Sequence, residues 1–224
     1  MALRWRPLQV STTLPCGTLA AVKERYDAKT ALIVVDVQND FADPKGALYV
    51  QGAEDVVRMA SSEARIAHEK GAFVVYSQDW HPAHTPHFAQ DGGIWPVHCV
   101  GDTWGSELHP DLLVVGPTVK KGVHGEDGYS AFTMKDPQTG ETMPTELAAM
   151  LHERGITKTV VVGLATDYCV SATAIDAAHL KFETEVLQDA IASVDLAAGD
   201  GDKAKAAMAA AGCVLGYCFG TLPS

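Results

Sequence analysis

The chain has 224 residues, of which 47% are hydrophobic and 20% charged, a composition typical of one globular α/β domain with a sizeable core. Its formal net charge of −11 argues against a nucleic acid or an anionic membrane surface as a partner, because both require a basic binding face. No apolar run in the sequence approaches the length of a transmembrane helix.

Apolar runs rich in β-branched residues alternate along the chain with segments of helical periodicity. In chain order we predict strands at residues 31–36, 73–79, 112–120, 158–165, 183–189 and 213–219. We predict helices at residues 54–70, at 145–154, from Cys169 to Leu180, and at about 200–211. Because parallel neighbours need crossover connections, this alternation predicts an α/β fold with a Rossmann-like, doubly wound, six-stranded parallel sheet and helices on both faces.

Two segments fall outside this alternation. Residues 1–30 precede the first strand, and we interpret them as an N-terminal extension of a single domain at 31–224. Residues 80–111 form a long irregular segment rich in His, Pro, Gly and Trp. Loops of that length inside a compact domain are usually functional or disordered, and the aromatic and histidine content here argues against disorder.

The cysteines do not resemble a disulfide framework. They are odd in number and irregularly spaced, at Cys16, Cys99, Cys169, Cys213 and Cys218. A reducing compartment is the simpler interpretation, so we expect a cytoplasmic protein. One of these thiols is then available for chemistry.

Four reactive or ionisable side chains stand at the ends of four predicted strands. Asp36 and Asp79 end the first two strands, Lys121 follows the third, and Cys169 lies just past the fourth. In an open α/β sheet, ligands bind beyond the carboxyl ends of the strands, near the point where the strand order reverses. We therefore expect these four groups to outline an active site.

Cys169 is the candidate nucleophile of this site. It lies where a strand turns into a helix, so we expect the helix N-terminus and the Lys121 ammonium to favour its thiolate. Asp36 could accept the thiol proton, and the backbone N–H groups of Ala165 and Cys169 could receive an oxyanion. The alternatives are a structural buried thiol at Cys169, a turn-capping role for Asp36 and a solvated charge at Lys121.

A second group of residues has the chemistry of metal ligands. Asp79 and His81 are two residues apart and point to the same side of an extended segment, and His98 returns from the far end of the loop. His87 is the natural additional ligand, and His84 competes with it. Such a set suits one divalent ion, Zn, Fe or Mn. The alternative is a group of solvated loop histidines.

Aromatic residues flank these two groups and could form the walls of a substrate pocket. The candidates for substrate binding are Phe41, Trp95, Tyr129 and Tyr168, which suit a flat heteroaromatic ring. Ordinary core packing is the alternative for Phe41 and the better interpretation of Phe132.

Several segments carry a resemblance to a known family. They are VVDVQNDF (34–41), SQDWHPAH (77–84), WPVHCVGDTWGSELHP (95–110), the Lys121–Gly122 pair, YSAF (129–132) and GLATDYCV (163–170). Together they resemble the nicotinamidase/pyrazinamidase branch of the isochorismatase-like cysteine hydrolases. The likeness runs in order from about residue 31 to the C-terminus. Residues 43–46 and 122–128 depart from the family pattern, and both border the expected pocket.

The resemblance implies an isochorismatase-like hydrolase fold and a role for each candidate residue. Asp36, Lys121 and Cys169 correspond to the family's catalytic triad. The ion would be held by Asp79, His81 and His98, with His87 at a more variable position. The oxyanion hole would lie at Ala165 and Cys169, after a cis peptide bond between Leu164 and Ala165.

The implied reaction is the hydrolysis of nicotinamide to nicotinate and ammonia through a cysteine thioester, as in NAD salvage, with the metal anchoring the pyridine ring. Pyrazinamide is an expected second substrate. The expected partner is this small molecule, with no nucleic acid or membrane, and a homo-oligomer is compatible with the fold. The alternatives are a related amidase acting on another small amide or ureide such as N-carbamoylsarcosine, a vinyl ether hydrolase of the isochorismatase type, and a non-catalytic metal-binding protein.

Overall fold

A computed structural model describes residues 25–218, and a six-stranded parallel sheet forms their centre. In chain order the strands of this part are β1 (Thr30–Val35), β2 (Phe73–Asp79), β3 (Thr118–Lys121), β4 (Thr133–Lys135), β5 (Thr142–Pro144), β6 (Lys158–Leu164), β7 (Glu183–Ala192) and β8 (Val214–Gly216). The parallel sheet has the order β3-β2-β1-β6-β7-β8, and β4 pairs with β5 as a separate antiparallel hairpin. The predicted doubly wound parallel sheet is confirmed.

Helices cover both faces of this sheet. They are α1 (Asn39–Ala42), α2 (Ala53–Glu69), α3 (Leu147–Glu153), α4 (Ser171–His179) and α5 (Asp200–Ala210), with a π-helix at Thr166–Val170 and 3₁₀ turns at Ala89–Asp91 and Trp104–Ser106. No helix within residues 25–218 is both long enough and apolar enough to cross a bilayer.

The sheet separates two apolar cores. Successive side chains of β1 point to opposite faces, and all of them are buried, which explains why this strand is a continuous apolar run. Leu32 and Val34 belong to the core that includes Ala60 of α2. Ile33 belongs to the other core, with Leu151 of α3 and side chains from α4 and α5. The helices thus hold the strand ends from both sides.

The predicted third strand at 112–120 is wrong over most of its length, since only β3 is a strand. The reason lies in the preceding loop. A Cβ atom at Gly116 would stand 1.8 Å from a backbone oxygen of β2, so the chain passes too close to β2 to pair regularly there. The Tyr76 hydroxyl takes over the role of a ladder partner: it donates to Leu113 O at 2.6 Å and accepts from Val115 N–H at 3.2 Å.

The other predicted elements are present with shifted ends. The strand predicted at 183–189 continues to Ala192, and the one predicted at 213–219 is reduced to β8, with Phe219 outside the described residues. The helix predicted from Cys169 to Leu180 is divided into the π-helix and α4. The short, half-exposed hairpin β4–β5 was not predicted, because three-residue strands carry almost no periodic signal.

The beginning of the described chain is packed against the domain. Tyr26 is buried, and its hydroxyl donates a hydrogen bond of 2.5 Å to Glu63 of α2. Residues 1–24 of the predicted N-terminal extension lie outside the described residues. The boundary between extension and domain at residues 30 and 31 therefore stays a prediction.

The strand order reverses between β1 and β6, which lie side by side at the middle of the sheet. From there the chain builds outward through β2 to β3 on one side and through β7 to β8 on the other. The two strands approach closely at Gly163, where a Cβ atom would stand 2.1 Å from Val35 O and where φ is +118°. Such a reversal opens a crevice at the carboxyl ends of the strands.

Candidate active site

Asp36, Lys121 and Cys169 are in contact at this carboxyl edge. The Lys121 ammonium nitrogen lies 2.9 Å from Asp36 Oδ2 and 3.5 Å from Cys169 Sγ. It also donates a hydrogen bond to Asp79 Oδ1. All four side chains are buried. The residues that the sequence assigned to four separate strand ends thus form one cluster.

Strand register explains much of this cluster. Asp79 and Lys121 are directly paired residues of β2 and β3, so their side chains lie next to each other. Asp36 follows β1 with a φ of +48°, and its N–H donates to Ser77 O of β2 at 3.2 Å. The Ser77 hydroxyl donates to Asp36 Oδ1 at 2.6 Å. Cys169 is supplied from the other side of the crevice by the π-helix that follows β6.

The buried charges of this cluster have unequal proton affinities. Burial raises the pKa of Asp36, and the nearby Lys121 ammonium only partly offsets this. Burial acts the same way on Asp79, but there the Lys121 ammonium and His81 prevail, so its pKa lies below the usual range. Burial would lower the pKa of Lys121, but Asp36 and Asp79 hold it well above its ordinary value. Lys121 is therefore a cation, and Asp36 is the carboxylate better suited to take up a proton.

The Lys121 ammonium favours the Cys169 thiolate, as predicted, but burial of the sulfur outweighs this effect. Burial raises the pKa of the Cys169 thiol well above its ordinary value; Lys121 opposes this effect, and the carboxylates Asp36 and Asp79 add to it. The thiol consequently needs a base to become nucleophilic. A carboxylate oxygen of Asp36 lies within 4.8 Å of the sulfur, which supplies such a base.

The predicted oxyanion-hole residues border the same crevice. Ala165 and Cys169 both line the pocket described below, and the peptide bond between Leu164 and Ala165 is cis, as the resemblance implied. The N–H groups of Tyr168 and Val170 donate to the Ala165 carbonyl oxygen at 3.1 and 3.0 Å. This turn places both Ala165 and Cys169 at the pocket.

His81, His87 and His98 converge beside the cysteine cluster. One ring nitrogen from each lies within 4.8 Å of the other two, and all three side chains are buried. Asp79 Oδ2 is 3.8 Å from His81 Nε2 and 4.0 Å from His98 Nε2. Both ring nitrogens of His81 are buried without a hydrogen-bond partner. Because buried polar atoms are normally paired, this unsatisfied imidazole fits a bound cation.

Two of these imidazoles are oriented by hydrogen bonds on their far side. His98 Nδ1 is 2.8 Å from Pro96 O, and His87 Nδ1 is 2.8 Å from Asp127 Oδ1, a bond that lowers the pKa of the Asp127 carboxyl. A ring that donates from Nδ1 keeps the Nε2 lone pair for a metal. Burial lowers the pKa of His98 to about 4, which keeps this imidazole neutral. His84, the competitor of His87, is instead on the surface, 3.2 Å from Asp91.

The cysteine and histidine clusters open onto one small pocket with aromatic walls. Its lining includes all four candidate substrate-binding residues, Phe41, Trp95, Tyr129 and Tyr168. Trp95 Nε1 donates a hydrogen bond to the Tyr129 hydroxyl at 3.1 Å. The ring centroids of Trp95 and Tyr168 are 4.8 Å apart in a T-shaped arrangement. Phe132, by contrast, lies in the core, as expected.

Several contributors to the site were not found in the sequence. Ser77 had a usable signal, because it lies two residues before Asp79 on the same strand and so shares its face. Leu48 and Val194 line the pocket, but nothing local marks them as ligand contacts. Asp127, the partner of His87, is 40 residues away along the chain, and only the tertiary structure reveals the contact.

Comparisons with known proteins agree with this architecture. Residues 30–216 match the family model described as the isochorismatase domain. The nicotinamidase of Escherichia coli (strain K12) is 35% identical over 203 residues, which cover 83% of this chain and 93% of that protein. The solved pyrazinamidase of Pyrococcus horikoshii in complex with zinc is 34% identical, with a TM-score of 0.75 and coverage of 85% of this chain and 99% of that one.

A third relative was solved with a ligand. The PnC1 protein of L. infantum in complex with nicotinate is 32% identical, with a TM-score of 0.76 and coverage of 86% of this chain and 94% of that one. These matches confirm the resemblance first indicated by the sequence motifs. The family model spans most of the sequence. The sheet, the cysteine cluster and the histidine cluster lie where the motifs predict them. The chain therefore belongs to the isochorismatase family.

Proposed function

We propose that this protein is a nicotinamidase, an amidohydrolase that converts nicotinamide to nicotinate and ammonia through a thioester on Cys169. The observation that carries the proposal is that the Cys169 sulfur and the histidine cluster open onto the same small aromatic pocket. The similarity to nicotinamidases over most of the chain, and a relative solved with nicotinate, support the same substrate.

A divalent ion is part of the proposed holoenzyme. Its ligands would be Asp79, His81 and His98, with His87 as the fourth, a donor set of imidazoles and a carboxylate that suits zinc, iron or manganese. Zinc is the first choice, because the relative from Pyrococcus horikoshii was solved with zinc. When bound, the ion supplies a positive centre that can anchor a ring nitrogen and offset the negative charge of Asp79.

The side chains of the chain itself carry the proposed proton transfers. Asp36 takes the Cys169 thiol proton, and the sulfur attacks the carboxamide carbon. The backbone N–H groups of Ala165 and Cys169 stabilise the resulting oxyanion, and Asp36 returns the proton to the amide nitrogen, which leaves as ammonia when the C–N bond breaks. Water, deprotonated by Asp36, then cleaves the thioester and regenerates the thiol. Lys121 holds Asp36 in place and stabilises the anionic sulfur at 3.5 Å.

The pocket walls distinguish a neutral aromatic amide from the rival substrates. His87 and Trp95 lie roughly parallel, with ring centroids 6.4 Å apart, and Tyr129 meets His87 from the side. Flat rings bind well against such faces. N-carbamoylsarcosine has no ring that could pack against these faces. This favours nicotinamide over the ureide.

The location of the protein is part of the proposal. Three cysteines within the described residues, Cys99, Cys169 and Cys213, are free thiols. Free thiols persist in a reducing compartment. We therefore place the protein in the cytoplasm.

Ammonia release from a panel of amides tests the proposed substrate. The panel comprises nicotinamide, pyrazinamide, N-carbamoylsarcosine and an aliphatic amide, each assayed with and without a metal chelator. We expect the highest kcat/KM for nicotinamide, clear activity on pyrazinamide, and loss of activity with chelator that added zinc restores. A higher kcat/KM for N-carbamoylsarcosine than for nicotinamide would contradict the proposed substrate.

Cys169→Ala tests the proposed nucleophile. We expect no measurable turnover, because no other thiol within the described chain lines the pocket, while nicotinamide still binds in a calorimetric titration. Cys213→Ala is the matched control, since Cys213 is buried on the α4–α5 side and bonds to Ala174 O. Retained activity in Cys169→Ala would end the thioester mechanism.

A further inference from the structure

One histidine of the cluster is held from outside the main sheet. The His87 side chain is 6% exposed, whereas that of its partner Asp127 is 48% exposed. The two are joined by the bond of 2.8 Å between His87 Nδ1 and Asp127 Oδ1. His87 also stacks on His81, with ring centroids 4.9 Å apart. Asp127 is thus the polar link between the buried cluster and the surface.

Asp127 itself is fixed by the β4–β5 hairpin. Its N–H donates to Lys135 O at 2.7 Å, and its carbonyl oxygen accepts the N–H of Lys135 in return. The Gly128 N–H donates to Asp127 Oδ1 at 2.8 Å, which sets the direction of the carboxylate. Asp127 therefore extends the edge of the hairpin as one more bridged residue. This small element, which lies outside the parallel sheet, presents a rigid acceptor to His87.

We propose that Asp127 is a positioning residue that fixes His87 as a ligand of the divalent ion through Nε2. A neutral imidazole can bind a cation through one nitrogen only when the proton is on the other, and a carboxylate accepting from Nδ1–H selects that tautomer and orients the ring. The inference rests on the proposed function for the presence of the ion. It assigns the β4–β5 hairpin a role as the support of the fourth ligand.

A second Asp–His pair on the same loop provides an internal comparison. His84 Nδ1 lies 3.2 Å from Asp91 Oδ1, but the His84 side chain is 79% exposed and outside the cluster. The two pairs share their chemistry and differ in burial and direction. Asp91→Asn is therefore the matched control for Asp127→Asn.

The experiment measures zinc affinity by competition with a chromophoric chelator, independently of turnover. We expect Asp127→Asn to weaken zinc binding by about 10- to 100-fold, as is usual when a carboxylate behind a ligating histidine is lost. Asp91→Asn should bind zinc as the wild type does. Thermal melts of the zinc-free proteins check that both variants are folded. Asn is used instead of Ala because it has nearly the same shape as Asp and disturbs the fold least.

A double-mutant cycle distinguishes positioning through His87 from a general structural effect. His87→Ala should weaken zinc binding, and adding Asp127→Asn to it should cause no further loss. In the cobalt-substituted protein, Asp127→Asn should shift the visible absorption bands toward those of His87→Ala. Wild-type zinc affinity in Asp127→Asn, or an equal loss with and without His87, would overturn the inference. A protein that binds zinc in this way but does not hydrolyse nicotinamide would contradict the proposed function and leave this inference standing.

Discussion

Lys121 shows how one residue can organise a buried site. Its ammonium is almost fully buried, and an unpaired charge in such a place would cost several kcal/mol. Contacts with Asp36 and Asp79 keep it charged, so the lysine joins the proton-transferring carboxylate to the carboxylate of the histidine cluster. The thiol lies at the same junction. Substitutions around it are expected to act through the proton affinities of its neighbours.

Ser77→Ala provides a pH-dependent test of the role of Asp36. The Ser77 hydroxyl donates to Asp36 Oδ1, and this bond lowers the pKa of a carboxyl that burial raises. Without it the pKa of Asp36 rises further. Since the base must be unprotonated to accept the thiol proton, the acid limb of the kcat/KM profile should move to higher pH.

Ser106→Ala is the control for this measurement. Ser106 is equally buried, but its hydroxyl bonds to Thr103 O, away from Asp36. Its acid limb should coincide with that of the wild type. An unchanged acid limb in Ser77→Ala would show that a group other than Asp36 accepts the proton.

At the scale of elements, two turns build the pocket together. The turn after β6 carries Cys169, and within it the Asp167 carboxylate accepts the N–H groups of Val194 (3.0 Å) and Asp195 (2.8 Å). Val194 lines the pocket. The segment after β7 is thereby fastened to the turn that bears the sulfur. The Asp167 carboxylate bonds to these backbone N–H groups and not to Asp36, Lys121 or Cys169. We therefore expect Asp167 to affect the shape of the pocket.

Asp167→Ala should therefore affect substrate binding more than chemistry. Two backbone N–H groups lose their acceptor, which costs about 1 kcal/mol in comparable caps, and the Val194 wall loosens. We expect KM for nicotinamide to rise several-fold with a smaller change in kcat. Steady-state kinetics of the zinc-loaded enzyme give both constants.

Asp200→Ala is the control, because Asp200 accepts the Ala197 N–H on the same segment without fastening Val194. Its kinetic constants should match the wild type. An Asp167→Ala variant with normal KM and reduced kcat would place Asp167 in the reaction and not in the pocket wall.

At the scale of the whole molecule, the start of the described chain is joined to the second helix and to the far strands. Tyr26 bonds to Glu63 of α2, and Arg25 lies 3.6 Å from Glu63 and 3.1 Å from Glu185 of β7. Lys158 of β6 reaches Glu185 at 3.1 Å. These bonds connect segments that are distant in the sequence. We therefore expect the contacts of residues 25 and 26 to contribute to the free energy of unfolding of the domain.

The Tyr26–Glu63 bond makes this stability sensitive to alkaline pH. Burial raises the pKa of Tyr26 well above its ordinary value of about 10, and Glu63 adds to the effect. Above that pH the unfolded chain releases the phenol proton and the folded protein retains it. The contribution of Tyr26 is thus fully present below about pH 10 and is lost as the pH rises further.

Tyr26→Phe tests this linkage by urea unfolding between pH 8 and 11, a range set by the ordinary tyrosine pKa of about 10. The variant should lose about 1–3 kcal/mol at the lower pH, because buried Glu63 loses its hydroxyl donor. The difference from the wild type should shrink above pH 10. Tyr49→Phe, which removes a Tyr–Glu bond on the surface, should leave unfolding almost unchanged. A constant difference across the range would contradict a raised pKa for Tyr26.

Element by element, periodic signals were reliable and short or irregular pieces were not. The buried strands β1, β2 and β6 were found because each contains a continuous apolar run, which indicates a strand buried on both faces. The third strand was overextended, because the apolar run at 112–117 packs through the Tyr76 hydroxyl and not through a strand ladder. The hairpin β4–β5 was missed for lack of any repeating pattern.

Hydrophobic periodicity and motif spacing are local properties, so they were sufficient to predict the sheet, the family and the groups at the strand ends. The contacts between those groups depend on the folded structure. It paired Asp79 with Lys121 through strand register, selected His87 over His84 by burial, and brought Asp127 to His87 from 40 residues away. It also buries the Cys169 thiol and so raises its pKa, through packing that no local signal in the sequence encodes.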